Sequence, residues 1–590
     1  MCGIAGTYGI NNEKIIEAMI QALAHRGPDG QATVLTGRHA LGAARLALVG
    51  GEEAKIPFFD VARNIHVLLN GEIYNFNYLR EKLLKLGFTF KTEGEPEVIS
   101  ALYQRYGRFF VRYLEGMFAI AILDGNRLIL ARDRMGIKPL FYFVTGDKLA
   151  FASEIKSLLQ FPGLIPALDR SALEETMVFG FIYSPARTLF QNVVQVEPGE
   201  MVEFADGILS KEKYALSPVN QPVANNIKNV NGVCSDDYQD NVRTLTEIFL
   251  QVMEQMWSHG RDEKGIYLSG GLDSTLEVLL AKEVSDGPVN TFTLSDSPEY
   301  ADYQCAALVA RSAGTRHHEF LVGEEDYWNE LPHLVVHYEN LVAGGVFDIH
   351  GALAFHILSR RVAKHVRIAF SGEGADELFG GYRWLHTHPL GFSDRLRERL
   401  NKIETGCRLK GLVHDLFPFP EDEELYRINI FNFLLSSGLA SYHLWSVDRS
   451  SSAFGFEVRP FYLHDRIVEF AVKTPTSYKV PDRWRTKQIL RDVAAPFTHP
   501  LGLDLVLSRE KLGMPAAIAK LTKQANDFIK KTVSARHINA HPYRQLLKTP
   551  LEVLMFDLFY YIFFIHHGKL SDGFQLKEAL AGGEFERMYD

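Results

Sequence analysis

The sequence predicts an α/β protein whose second half is built on a parallel sheet, and three observations carry that prediction. A short apolar run at 265–268 reads as a buried strand that breaks at Ser269-Gly270-Gly271 and yields to helical spacing from Ser274 (Leu276, Leu279, Leu280). Apolar runs at 266–268, 290–294 and 366–371 alternate with helical stretches, the pattern of a parallel sheet with ligands at the carboxyl ends of its strands. The last run ends, like the first, in a glycine-rich turn, here crowded with carboxylates.

The whole chain has 590 residues, too many for one core, so two domains are expected. It is 46% hydrophobic and 23% charged, as in ordinary globular proteins. A net charge of −9 without a long basic run argues against nucleic acid as a partner. The four cysteines (Cys2, Cys234, Cys305, Cys407) are far apart with no CxxC spacing, which points to the reducing cytoplasm. Polar and charged residues within the first fifteen positions speak against a signal peptide. The most apolar window, 553–565, is interrupted by Asp557 and too short to span a bilayer, so it is expected as a buried helix with no membrane partner.

At the start of the chain, Cys2 follows Met1 directly. Removal of the methionine would give Cys2 a free α-amine, a base for its own thiol. His25-Arg26-Gly27-Pro28-Asp29-Gly30 is a polar turn. Arg45-Leu46-Ala47-Leu48-Val49 reads as a strand with a guanidinium at its head, suited to a bidentate grip on a carboxylate. An apolar strand at 67–69 runs into Asn70-Gly71-Glu72, where a side-chain amide and a backbone N–H offer the donors an oxyanion needs. Taken singly, each is an ordinary loop residue.

In this order, with LEGMFAIAIL (114–123), RDRMGIKPLFY (132–142) and FASEIKSL (151–158), these motifs resemble the class II glutamine amidotransferase domain. The resemblance implies a four-layer αββα fold, two antiparallel sheets between helices. It makes Cys2 the nucleophile on glutamine, with Asn70 and Gly71 stabilising the oxyanion. Arg45, Leu46, Ala47, Leu48, Val49 and Glu72 would line the glutamine site with them. Where that family usually carries an Asp for the substrate α-ammonium, this chain has Glu95, one methylene longer.

After a hairpin near Pro198-Gly199-Glu200, residues 216–232 are rich in Asn, Pro and Val without periodicity, as in a linker. A helical pattern starts at Asp237. The expected division is 1–212, a linker at 213–236, and 237–590, with no internal repeat.

Strand, glycine turn and helix start at 265–280 make a ready anion site. No Walker lysine is present, but Asp273 puts a carboxylate where Mg2+ could bridge phosphates. A strand–helix turn without ligand is the plain alternative. In Ser371-Gly372-Glu373-Gly374-Ala375-Asp376-Glu377, three acids within five residues would repel unless a cation or reacting group used them.

SGGLDS (269–274) and SGEGADELFGGY (371–382) together resemble the asparagine synthetase family of ATP pyrophosphatases, and with the first domain the similarity covers nearly the whole chain. The resemblance implies ATP binding by Leu268, Ser269, Gly270, Gly271, Asp273, Ser274, Leu294, Ser371 and Gly372. Asp273 and Asp376 would hold Mg2+ on ATP, and Glu373 would serve around the acyl-adenylate. Asp448-Arg449, Glu457 and Arg459 resemble the family's D-R…E-x-R region. Arg509-Glu510-Lys511 resembles R-x-K, with Lys511 catalytic on the developing pyrophosphate. Two departures concern the acceptor: an extra residue before Asp465, and a segment at 339–348 without R-A-S-x-x-M-Y-L.

The expected activity is a glutamine-dependent, ATP-hydrolysing amide synthetase, foremost an asparagine synthetase acting on aspartate through an acyl-adenylate. By family analogy, ammonia would pass between the sites inside the protein. The alternative is a tailoring relative that amidates another carboxylate, such as a cell-envelope, sugar-acid or natural-product acceptor. A non-catalytic regulatory protein would not be expected to retain Cys2, Asn70, Asp273, Glu373 and Asp376. The partners are glutamine, ATP and a carboxylate, with no prosthetic group; a homodimer is left open.

Overall fold

The structure is a computed structural model that describes every residue except 1, 52–54, 63, 216–234, 236, 342–348, 384, 386–388, 404–408, 412–428, 483, 510–512, 572 and 590. Most of the expected linker, most of the acceptor segment and Lys511 therefore lie outside the described residues.

The first strands in chain order are β1 (Gly3–Tyr8), β2 (Gly30–Thr36), β3 (His39–Arg45), β4 (Phe58–Asp60), β5 (Ile65–Ile73) and β6 (Gly116–Asp124). They are followed by β7 (Arg127–Arg132), β8 (Phe141–Thr145), β9 (Lys148–Ala152), β10 (Val193–Gln195), β11 (Glu200–Ala205) and β12 (Ile208–Lys213). They form two antiparallel sheets ordered β10-β8-β9-β1-β3-β2 and β12-β11-β7-β6-β5-β4. Helix α1 (Glu13–Gln21) covers the first sheet with Ile16, Met19 and Ile20; α2 (Phe76–Lys85) and α3 (Glu95–Tyr106) cover the second. Strand β6 shows why its sequence is continuously apolar: alternation sends Phe118, Ile120 and Ile122 to the helices, and Ala119, Ala121 and Leu123 to the facing sheet. The αββα stack is as expected.

Two expectations shift. Arg45 ends β3 instead of heading a strand, and 46–48 are irregular. The cause is Asp29, whose backbone N–H donates to Arg45 O (3.0 Å) while its carboxylate takes the Ala47 N–H (2.7 Å), diverting both from a ladder. Strand β5 runs on through Asn70 and Gly71, so both residues stand on a strand.

Helix α4 (Tyr238–Ser258) opens the second half, its N-terminus capped by Asp237. Five parallel strands follow: β13 (Lys264–Tyr267), β14 (Asn290–Ser295), β15 (Arg316–Leu321), β16 (Ile368–Ser371) and β17 (Glu457–Pro460), in the order β15-β14-β13-β16-β17. The chain leaves β13 towards β15, then returns to the other side as β16, so the order reverses between β13 and β16. Such a switch point opens a crevice at the strands' carboxyl ends. Helix α5 (Leu272–Val284) starts two residues before Ser274, placing Asp273 and Ser274 in its first turn. The apolar window near the C-terminus is the helix Pro550–Tyr560 followed by a π-helical turn at Tyr561–Ile565, and its Asp557 is buried between His537 (2.7 Å) and His541 (3.0 Å). Among the described residues, no helix is long and apolar enough to cross a membrane.

The two halves meet through buried charge. Arg26 donates to Glu154 (2.6 Å) and to both oxygens of Asp448 (2.9 and 3.0 Å), while Arg449 pairs with Glu154 and Glu339 (3.0 Å each). Glu339 also accepts the backbone N–H groups of Ile155 and Lys156 (2.7 and 2.6 Å). Burial opposes ionisation of Glu154, but Lys156, His25, Arg449 and Arg26 outweigh it and hold its carboxyl well below the usual range. Asp465 belongs to this interface as well, accepting from Gly116 N (3.1 Å) and pairing with Arg134 (3.3 Å).

Candidate functional site

The first site forms where β1, the end of β3 and β5 converge. Cys2 N donates to Asn70 Oδ1 (3.2 Å), and the thiol donates to Leu46 O (3.8 Å). Cys2, Arg45, Leu46, Leu48, Val49, Gly71, Glu72 and Glu95 line one pocket, completed by Ile56, Leu69 and Pro96. Ala47 does not line it, because its backbone is turned onto Asp29. Asn70 reaches the nucleophile from the strand: its Oδ1 is used, while Nδ2 is buried with no hydrogen-bond partner among the described residues. A buried amide left with a spare donor beside a thiol suits a developing oxyanion. Gly71 sits at φ +136°, and a Cβ there would lie 1.9 Å from Met117 O, so no other residue fits. Burial pushes the Cys2 thiol up, so a local base is needed to make it nucleophilic.

Below the pocket lies a partner that sequence spacing did not reveal. His259 follows α4 and places Nε2 2.7 Å from Glu72 Oε2 and 3.4 Å from Glu95 Oε1. Burial works against its charge, but the hydrogen bonds to both carboxylates prevail and lift it to about 9. Glu95, which also accepts the Ile73 N–H (2.7 Å), is pushed up to about 7 by burial and by Glu72. His259 is 187 positions from Glu72, and nothing local marks it.

The second site is a cavity of about 660 Å³ at the switch point, in the size range of ligand pockets. Leu268, Ser269, Asp273, Ser274, Leu294, Ser371, Gly372, Glu373 and Asp376 all line it. Gly270 and Gly271 shape the turn without lining the cavity. Gly270 has φ +70°, and a Cβ would stand 2.6 Å from the backbone nitrogen of Ala306. Its carbonyl accepts from Arg509 (3.0 Å), two positions before Lys511.

The crowding of acids is relieved by two basic side chains that sequence reasoning missed. Lys487 Nζ lies 2.5 Å from both Asp273 Oδ2 and Asp376 Oδ1. The residue adopts φ +54°, an uncommon backbone for a side-chain-bearing residue, one position before the helix Gln488–Thr498. His443 ends a π-helical turn at Leu434–His443 and stands 3.3 Å from Glu373 and 3.4 Å from Glu377. Burial opposes its protonation, yet Glu377 and Glu373 raise it above the usual imidazole range. Tyr382 donates to Glu377 (2.7 Å), and Tyr462, inside the lengthened segment before Asp465, donates to Asp273 O (3.0 Å).

Residues 1–215 match the family described as glutamine amidotransferase domain, and residues 251–551 match asparagine synthase. "Asparagine synthetase [glutamine-hydrolyzing] 1" of Bacillus subtilis is 28% identical to this chain, over 94% of it and 93% of the relative. A second Bacillus subtilis protein, numbered 3 under the same name, is 27% identical over 92% and 91%. "Asparagine synthetase [glutamine-hydrolyzing] 2" of Arabidopsis thaliana is 28% identical over 87% of this chain and 78% of its own.

Proposed function

The chain belongs to the asparagine synthase family of ATP-dependent, glutamine-hydrolysing ligases, and from that premise we propose that it converts aspartate to asparagine in two coupled sites. At the first, the Cys2 thiol passes its proton to the residue's own α-amine and attacks the side-chain amide carbon of glutamine. Asn70 Nδ2 and the Gly71 N–H hold the oxyanion, Arg45 the substrate carboxylate and Glu95 its α-ammonium. Ammonia leaves, and water releases glutamate from the thioester.

At the second site, the acceptor carboxylate attacks the α-phosphate of ATP, giving an acyl-adenylate and pyrophosphate. Leu268, Leu294, Ser371 and Gly372 hold the nucleoside end, and the turn from Ser269 to Ser274 holds the phosphates. The donor set fits Mg2+ carried by ATP: Asp273 and Asp376 are hard oxygen ligands that converge on one ammonium. Mg2+ would supply neutralisation of phosphate charge there. Glu373, beside His443, takes a proton from ammonia as the nitrogen attacks the activated carbonyl, and AMP leaves. Lys511 is proposed for the pyrophosphate. A free nucleophilic thiol suits a reducing compartment, which supports the cytoplasm as the proposed location.

The observation that carries this reading is the convergence of Asp273 and Asp376 on one cation within a cavity at the switch point. A different acceptor carboxylate is the second reading, favoured by the departure at 339–348. A screen of acids for glutamine-dependent pyrophosphate release decides between them. Signal with aspartate supports the first reading, and silence with aspartate alongside signal from another acid overturns it.

A further inference from the structure

Helix α6 (Ala301–Ala313) is followed by α7 (Glu324–Tyr338) and α8 (Ile349–Val362), two packed helices that face each other across an imidazole pair. Glu330 and His333 are three positions apart on α7 and so share one face; His356 comes from α8. His333 Nδ1 lies 2.9 Å from His356 Nε2 and 3.8 Å from Glu330 Oε2, and the last two atoms are 3.6 Å apart. Four ligands at zinc bond lengths around a tetrahedron stand about 3.3 Å from one another, so these three atoms are spaced as three of its corners. We propose that Glu330, His333 and His356 form a binding site for a divalent transition-metal ion of the zinc class.

Three further observations support the assignment. Glu330 Oε2 is buried with no hydrogen-bond partner among the described residues, a cost that a ligand would remove. The carboxylate's other oxygen pairs with Arg360, the outer contact that orients a ligating carboxylate. The His356 side chain is fully buried while that of His333 is 42% exposed, which gives the site a closed floor and an open fourth position.

Two other described groups of His and acid side chains have ligand atoms equally close, and both are already engaged. Glu72 and Glu95 line the Cys2 pocket and are paired with His259, and Glu154, grouped with His25 and His337, is held by Arg26, Arg449 and Lys156. An ion at Glu330, His333 and His356 would clip α7 to α8. Helix α8 also lines the cavity of the second site with Gly351, Ala352 and Phe355, and α7 leads directly into Glu339 at the interface of the halves.

The test is titration of the untagged, chelator-treated full-length protein with Co2+, followed by displacement with Zn2+. The expected result is one Co2+ per chain with the visible absorption of a low-symmetry site, loss of that absorption on adding Zn2+, and a higher thermal midpoint with Zn2+. His333→Ala and Glu330→Gln are each expected to weaken Co2+ binding by about 10–100-fold while leaving glutaminase turnover unchanged. Failure of the wild type to bind Co2+, or binding that is unchanged in both variants, overturns the proposal.

Discussion

His259 Nε2 lies 2.7 Å from Glu72 Oε2, so an imidazole from the second half backs a carboxylate that lines the Cys2 pocket in the first. Held at about 9, His259 is charged at neutral pH and offsets two carboxylates that would otherwise face each other. Its stabilising contribution is fully present below about pH 6.5 and is lost as pH rises through about 9. His259→Gln is expected to cost about 3 kcal/mol of stability, measured by denaturant unfolding at pH 7, because it strips the cation from a buried pair. It is also expected to raise KM for glutamine about tenfold.

Glu95 gives the glutaminase a pH dependence of its own. Below about 7 its carboxyl is largely neutral and above that it is a carboxylate, so in the proposed role it would hold the substrate α-ammonium weakly at low pH. The kcat/KM for glutamine is expected to rise with pH through about 7, and Glu95→Gln is expected to remove that rise and remain at the low-pH level. The profiles of the two proteins, measured side by side from pH 5.5 to 8.5, roughly a unit and a half either side of that value, check this.

Asn70 presents the spare donor next to Cys2. Asn70→Ala is expected to lower glutaminase kcat by about 10²–10³ with a smaller change in KM, since the contact matters once charge develops on oxygen. Equal turnover in the variant would remove Asn70 from the oxyanion site.

Lys487 stands where Asp273 and Asp376 converge. Lys487→Met is expected to eliminate pyrophosphate release and to lower stability by about 3–5 kcal/mol, because two buried carboxylates lose their cation. Added Mg2+ is expected to restore part of that stability. Thermal unfolding with and without Mg2+, alongside a pyrophosphate assay, reads both effects.

Much of this was legible because the relevant chemistry is local in the chain. The strand, glycine turn and helix start at 264–284 sit within one supersecondary unit, and Asn70-Gly71 advertises paired donors at the end of an apolar run. Strand β6 shows its double burial as an unbroken apolar string. Other features were not legible for an equally physical reason. His259 and Lys487 act on carboxylates 187 and 214 positions away, and periodicity carries no signal at such separations. The apolar run after Arg45 has the look of a strand, but the Asp29 side chain captures the backbone there. The roles of Asp448 and Arg449 as a buried seam with Arg26, Glu154 and Glu339 became visible only once the two halves were packed together.

We propose the transfer of nitrogen freed at Cys2 to the Asp273–Asp376 cavity. Its most direct test is AMP and amide formation by Cys2→Ala with either glutamine or ammonium as nitrogen source, at saturating ATP, Mg2+ and acceptor. The account predicts that the glutamine-dependent product disappears while the ammonium-dependent product persists at the wild-type rate. Loss of both products, or survival of the glutamine-dependent one, would contradict it.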